Sequence, residues 1–455
     1  MKKINIYIVL FIGIVSLNSC SSFLDVPPPK DQLAAEVAFA DDQVATATVL
    51  GMYSQMNAYN NQFANGLLSF LTAMSADEFY YAFNFYDDFK DNNLSPNTSF
   101  LDRFWSQPYA YINHANKIIE GLQASNGVTE NVKNQLLGEA HFIRAFCYFY
   151  LVNLFDGVPI VVDTDYQKNT LLPRSPSDEV NQFIIDELVL AEQLLDDAYT
   201  GQERVRPNKK AASTMLARAY LYQEQWVEAE AEATKVIQDS RYIILDSLHH
   251  VFLIDSKEAI WQLQTANTST VGVNTWEGFN IVPFNPGTRS NYNVYEEALD
   301  SYEAGDQRKE DCLTTYELNA ETFYYPYKYK RRTASPVVEY SMVLRFAEVY
   351  LIRAEARAQQ NDLGNAIADL NVLRRRADVE ELPLNLDQAS VLAAVEQERR
   401  IELLGEWGHR WFDLKRTGRA VDVLSPIKTG FTASDLLFPI PLAAILTNPN
   451  LTQND

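Results

Sequence analysis

The sequence predicts a mostly α-helical protein, a scaffold of tetratricopeptide-like helix pairs carrying long irregular insertions. Three observations predict it. Apolar residues recur at helical spacing in four stretches, and small residues recur twelve positions apart within two of them. Two other segments, rich in Asn, Gly, Thr, Pro and aromatics, interrupt that texture.

In chain order, the first element is an address. Lys2 and Lys3 precede an apolar run from Ile4 to Val15, shorter than the roughly 20 residues of a mature membrane span and suited to an export signal. Leu17-Asn18-Ser19-Cys20 follows and resembles a bacterial lipobox. Residues 1–19 are therefore expected to be a lipoprotein signal peptide, with lipidated Cys20 opening the mature chain. Residues 20–30, stiffened by Pro27-Pro28-Pro29, read as a lipid-anchored linker, and 31–455 as one domain.

Within that domain, residues 57–102 form the first insertion. Leu136, Ala140, Ile143, Cys147, Tyr150 and Leu154 then line one face of a helix. It should end at Asp156-Gly157, with the glycine left-handed and Pro159 preventing continuation. Ile184, Leu188, Ala191 and Leu195 repeat the stepping, so 134–155 and 180–197 are expected to pair. Residues 211–239 and 343–378 each read as two helices around a short turn, with Ala217/Ala229 and Ala354/Ala366 as the close-approach positions. The second insertion is 265–335. Near the C-terminus, Arg399, Arg400, Glu402, Glu406 and Arg410 are expected on successive turns of one helix, as an ion network fixing it.

Composition narrows the function. The chain has 455 residues, 47% of them apolar, which is incompatible with a mostly disordered chain. Its 60 acidic and 38 basic residues give a charge of −22, and removal of Lys2 and Lys3 with the signal takes it to −24. Such a surface argues against a nucleic-acid partner, since phosphate backbones select clustered Lys and Arg. Three cysteines exclude a disulfide-stapled scaffold; Cys147 reads as a buried apolar residue, and no bridge to Cys312 is expected. The chain lacks the glycine-rich phosphate loops, the His-Glu-x-x-His zinc motif and the Gly-x-Ser-x-Gly nucleophile motif. No cofactor or metal is expected, and the acids between Asp87 and Asn93 read as a solvated turn.

Aromatic clustering is the positive signal. Phe79, Tyr80, Tyr81, Phe83, Phe85, Tyr86 and Phe89 crowd one insertion; Phe323, Tyr324, Tyr325, Tyr327 and Tyr329 crowd the other. A sugar ring offers flat C–H faces and a hydroxyl rim, which aromatic platforms and planar polar side chains complement. Tyr81, Tyr86, Trp276 and Tyr325 are the expected platform, with Asp77, Asn280 and Arg289 as the polar rim. Most aromatics of a folded chain are largely buried, so the expectation concerns at least one exposed platform among these clusters.

Six sets of residues fall in order along the chain: Cys20-Ser21-Ser22-Phe23-Leu24-Asp25, Trp105 through Asn116, Arg144 through Pro159, Leu344 through Ala356, Glu398 through Leu403 with Gly408 through Leu414, and the closing Pro439-Ile440-Pro441 and Asn448 through Asn454. Together they resemble the SusD/RagB family of outer-membrane nutrient-binding lipoproteins. The resemblance implies a lipid-anchored helical protein facing the cell exterior at the outer membrane. It further implies that the protein captures a glycan without catalysis and closes as a lid over a SusC-like TonB-dependent transporter. A binder of peptides or another non-sugar nutrient is the alternative, and an α-helical glycoside hydrolase the more distant one. The family's binding aromatics follow no transferable motif, so the resemblance assigns no site residue.

Overall fold

The computed structural model describes residues 35–201, 203–266, 272–285 and 287–454. The signal peptide, Cys20 and the linker lie outside the described residues. Regular structure is predominantly helical. Helices α1 (Asp42–Met56), α2 (Leu68–Ser75), α3 (Leu101–Ala124), α4 (Glu130–Phe155) and α5 (Ser177–Leu194) come first. α4 is the central helix, buried on nearly all sides from Gly138 to Val152, with α3 and α5 packed along it. The expected pairing of 134–155 with 180–197 is the α4–α5 contact. The end of α4 differs from expectation. Asp156 takes the positive φ of 62°. Gly157 is needed for space instead, because the Ser175 carbonyl oxygen lies 2.4 Å from where a Cβ would sit.

The two predicted pairs are α6 (Lys209–Tyr222) with α7 (Trp226–Ile237) and, beyond the short α8 (Trp276–Ile281), α9 (Phe346–Gln359) with α10 (Leu363–Arg376). Ala217, Ala229, Ala354 and Ala366 are all fully buried. Glu224 (φ 56°) and Asn361 (φ 63°) occupy the same left-handed position in the two turns, so one turn geometry is built twice. α7 packs on α9 and joins the pairs into a stack. α11 (Gln388–Glu402) and α12 (His409–Arg416) follow as separate helices. The single helix expected across Arg399–Arg410 is broken by positive φ at Gly405 (70°), Trp407 (46°) and Gly408 (75°).

Among the described residues, three antiparallel strand pairs complete the fold: β1 (Phe79–Tyr81) with β3 (Tyr292–Val294), β2 (Ala259–Leu263) with β6 (Ser341–Arg345), and β4 (Leu313–Leu318) with β5 (Glu321–Pro326). The helix expected from Val343 therefore starts at Phe346. The preceding residues are a strand, buried along its whole length like its partner β2, as sheets covered on both faces are. The main hydrophobic core draws on residues from Ala38 to Ile440, and smaller clusters form around Leu351 and Leu373, Val251 and Phe252, and Ala366 and Val391. Cys147 and Cys312 are both buried and free. No helix among the described residues is long and apolar enough to cross a membrane.

Candidate ligand-binding face

The two insertions meet at the β1–β3 pair, where Phe79 opposes Val294, Tyr80 opposes Asn293 and Tyr81 opposes Tyr292. Strand alternation sends Phe79 and Tyr81 to one side and Tyr80 to the other. Phe79 is fully buried and packs edge-on against Phe70 and Tyr292, at 6.3 and 6.0 Å between ring centroids. Tyr80 pairs with Tyr295 at 5.0 Å and lines a cleft of about 560 Å³ with Lys90, Asp91 and Glu297.

On the Tyr81 side the chain leaves the strand and turns through Asn84–Tyr86. Phe83 and Phe85 project outward there, 50% and 59% exposed, with exposed Asn84 between them. They rest on other rings: Phe83 lies 5.6 Å from Tyr81, Phe85 lies 4.9 Å from Tyr86, and Tyr81 and Tyr86 are 5.0 Å apart. Phe100, at the head of α3, closes the cluster 5.7 Å from Phe85 and 5.6 Å from Tyr86. Burial, then the neighbouring Tyr81, pushes the Tyr86 phenol up to about 12, so it stays neutral across the physiological range.

Arginines border these rings. The Arg289 guanidinium lies over Phe83 at 4.4 Å and donates to the Ala82 carbonyl at 2.7 Å. Arg103 lies over Phe100 at 4.8 Å and donates to the Asn61 carbonyl. From Asn61 the surface continues to Asn60, whose side chain exchanges hydrogen bonds with Asn280 at 3.0 and 2.6 Å. Asn280 also donates to the Trp276 carbonyl, capping a second aromatic pair, Trp276 and Phe279, at 5.5 Å. Arg332 covers Phe279 at 4.1 Å.

The structure redistributes the seven predicted site residues. Arg289, Tyr81 and Asn280 are brought to this face. Tyr86 is its buried floor, and Trp276, 4% exposed, lies beneath Phe279 rather than at the surface. Tyr325, 6% exposed, packs against Tyr316 and Tyr327 in the β4–β5 hairpin. Asp77 does not reach the surface. It is 1% exposed, and its oxygens accept from Arg410 at 2.7 and 3.0 Å and from Arg400 at 2.8 Å. Burial pushes its carboxyl up, and the two guanidiniums more than offset this and hold it below the usual range. A carboxylate so committed serves the scaffold. Phe83 and Phe85 belong to the aromatic cluster of the first insertion but not to the expected platform. The available signal was the density of aromatics from Phe79 to Phe89; which of them stay exposed follows from the turn at Asn84–Tyr86, which strand alternation does not describe. Phe100 and Arg103 had no local signal.

The insertions are anchored from behind by buried ion pairs. Arg308 binds Asp306 and Glu398, both at 2.7 Å, and Arg345 binds Glu402 at 2.6 Å and Glu406 at 2.7 Å. Lys328 donates to Glu406 at 2.5 Å. The network expected around Arg399–Arg410 exists, with different partners: Glu406 faces Arg345 and Lys328, while Arg410 faces Asp77 and Glu396. Among the described residues no group of three His, Cys, Asp or Glu is placed to hold a metal ion.

Fold and face together are those of a helical scaffold protein presenting a cluster of partly exposed aromatic rings. Known proteins place it more closely. The family described as "Starch-binding associating with outer membrane" matches residues 22–221, and the family described as "SusD family" matches residues 313–455. SusD-like protein P25 of Formosa agariphila is 25% identical over 100% of this chain and 99% of its own. A SusD superfamily protein from Bacteroides vulgatus superposes with a TM-score of 0.80 at 20% identity, over 92% of this chain and 99% of its own. Surface glycan-binding protein A from Bacteroides thetaiotaomicron, solved with laminarihexaose, gives 0.76 at 18% identity, over 91% and 99%. The chain belongs to the SusD/RagB family, a carbohydrate-binding family associated with the outer membrane.

Proposed function

We propose that this protein is a non-catalytic surface lipoprotein that captures oligo- or polysaccharide and hands it to a SusC-like TonB-dependent transporter. The observation that carries the reading is the pair of half-exposed phenylalanines, Phe83 and Phe85, held on a floor of Tyr81, Tyr86 and Phe100. Exposed rings packed on buried and partly buried rings are held in place, so a sugar face stacks on them with little ordering cost. Asn84 and Arg289 stand beside them to meet hydroxyls. The neighbour that carries laminarihexaose supports the sugar class of ligand.

The test is titration calorimetry of Phe83→Ala and Phe85→Ala against a glycan that the wild type retains, with melting temperatures recorded alongside. Each truncation is expected to remove about 1–3 kcal/mol of binding, by analogy with base stacking on aromatics, and to leave the fold intact. Trp276→Ala and Tyr325→Ala are expected to cost stability first, because their rings are buried. Normal binding by both phenylalanine variants would move the site elsewhere. Binding of a peptide pool in place of every glycan would replace the sugar reading by the peptide one.

A further inference from the structure

The binding face carries cations that this acidic chain leaves unneutralised. Arg103, Arg289 and Arg332 each lie over a ring of the face, Phe100, Phe83 and Phe279, at 4.8, 4.4 and 4.1 Å. Their hydrogen bonds go to backbone carbonyls: Arg103 to Asn61, Arg289 to Ala82, Arg332 to Phe279 and Val282. Among the described residues, none of the three has a carboxylate partner. The interior shows the opposite habit, with Arg218 held by Glu348 at 2.6 Å, Arg308 by Asp306 at 2.7 Å and Arg416 by Glu355 at 2.5 Å. Local acids are turned away or already engaged. The Asp102 carboxylate accepts from Ser106 at 3.0 Å, and Asp87 accepts from Lys90 at 2.8 Å.

The chain carries 60 acids to 38 bases, yet these three guanidiniums stay without a carboxylate. Arg174 and Arg204 also donate to carbonyls alone, Arg174 beside Phe155 and Arg204 beside Tyr199 and Tyr242. A guanidinium has five N–H donors, and the three on the face spend one or two on carbonyls. Stacking on a ring fixes the guanidinium plane without consuming the remaining donors. What it then offers is a fork matched to a carboxylate or sulfate.

We propose that the ligand is an acidic glycan, bearing uronate carboxylates or sulfate esters, with its sugar rings on Phe83 and Phe85 and its anionic groups on Arg289 and Arg103. This rests on the glycan reading above and specifies it. It also replaces the weak salt dependence that an uncharged sugar would show, because exposed charges attract over a Debye length of about 8 Å at physiological salt.

The test uses the full-length protein in a neutral detergent on an array of neutral, uronate-bearing and sulfated glycans. Calorimetry follows, with polygalacturonate oligosaccharides and with the same oligosaccharides reduced at the carboxyl group to neutral galactosides. The array hits are expected to be acidic glycans, with affinity falling about tenfold or more between 50 and 500 mM NaCl. Arg289→Gln is expected to lower affinity about tenfold and flatten that salt dependence at unchanged melting temperature. Hits confined to neutral glycans, or affinity indifferent to salt and to Arg289→Gln, would overturn the acidic ligand while leaving glycan capture standing. Binding to no glycan, with the melting temperature intact, would overturn both.

Discussion

Glu277 is a carboxyl group buried without a cation. Its two oxygens accept from the Gly66 amide at 3.3 Å and the Ser341 hydroxyl at 2.9 Å, tying α8 to the first insertion and to β6. Burial pushes its carboxyl up to about 7, against only partial relief from its own backbone N–H and the Ser341 hydroxyl. The folded protein therefore holds this proton more tightly than the unfolded chain, in which a glutamate titrates near about 4.3. Its contribution to stability is full below that value and is lost as pH rises through about 7. Glu277→Gln keeps the shape and removes the titration. The wild-type melting temperature minus that of the variant is expected to fall between about pH 5 and pH 7.5. A constant difference would mean that the carboxyl is solvated or ion-paired. Asp77 is the opposite case. Also buried, it stays ionised because Arg400 and Arg410 accompany it.

At the scale of elements, the helix pairs depend on small residues where backbones approach. Ala217 and Ala354 have no exposed surface, and each lies in the first helix of its pair. Leucine at either position adds three heavy atoms to a filled interface and is expected to cost about 1–3 kcal/mol, read as a lower urea midpoint at unchanged slope. Unchanged midpoints for both would sink the close-packed pairing. The repeated left-handed turn residues, Glu224 and Asn361, show that pairing is a property of the element and its turn together. Periodicity made those helices legible because each buries one continuous stripe. It failed at Gly405–Gly408, where the i, i+4 spacing of Glu406 and Arg410 suggested a helix that three positive φ angles break. Gly408 is held there by the Phe412 ring and the Thr72 hydroxyl, 2.7 and 2.8 Å from its missing Cβ, contacts that no local pattern announces.

At the scale of the molecule, the main core and a chain of buried ion pairs hold the face in place. Asp77 ties the first insertion to α11 and α12, and Arg308 and Lys328 tie the second to α11 and the segment after it. Lys428 adds a further clamp, donating to the Met74 and Ser75 carbonyls and to Asn92 at 2.6, 2.8 and 2.7 Å. The face is thereby built on the scaffold rather than on free loops, which favours a preorganised site. In the proposed function, attachment of the whole molecule to the membrane rests on one residue, Cys20. Cys20→Ala is expected to yield exported protein in the soluble fraction of cells that lack the transporter, since the acyl chains supply the anchoring energy. Retention of that variant in the membrane fraction would refute the lipid anchor.

The sequence by itself determined the helical class, the paired alanines, the central helix from Leu136 to Leu154 and the family, because each is written in short-range spacing or in motifs met in order. It also singled out the two aromatic insertions as the segments in which a binding face is expected. Which rings are bare was decided only by tertiary structure. Asp77 and Arg410 are 333 positions apart, and Asn60 and Asn280 are 220. Tyr81 is read as a platform or as a floor only once β3, 211 residues later, is laid beside it. Exposure belongs to the packed surface and not to the residue type. Rings of equal hydrophobicity are therefore sorted into floor and platform by partners that the local sequence does not contain.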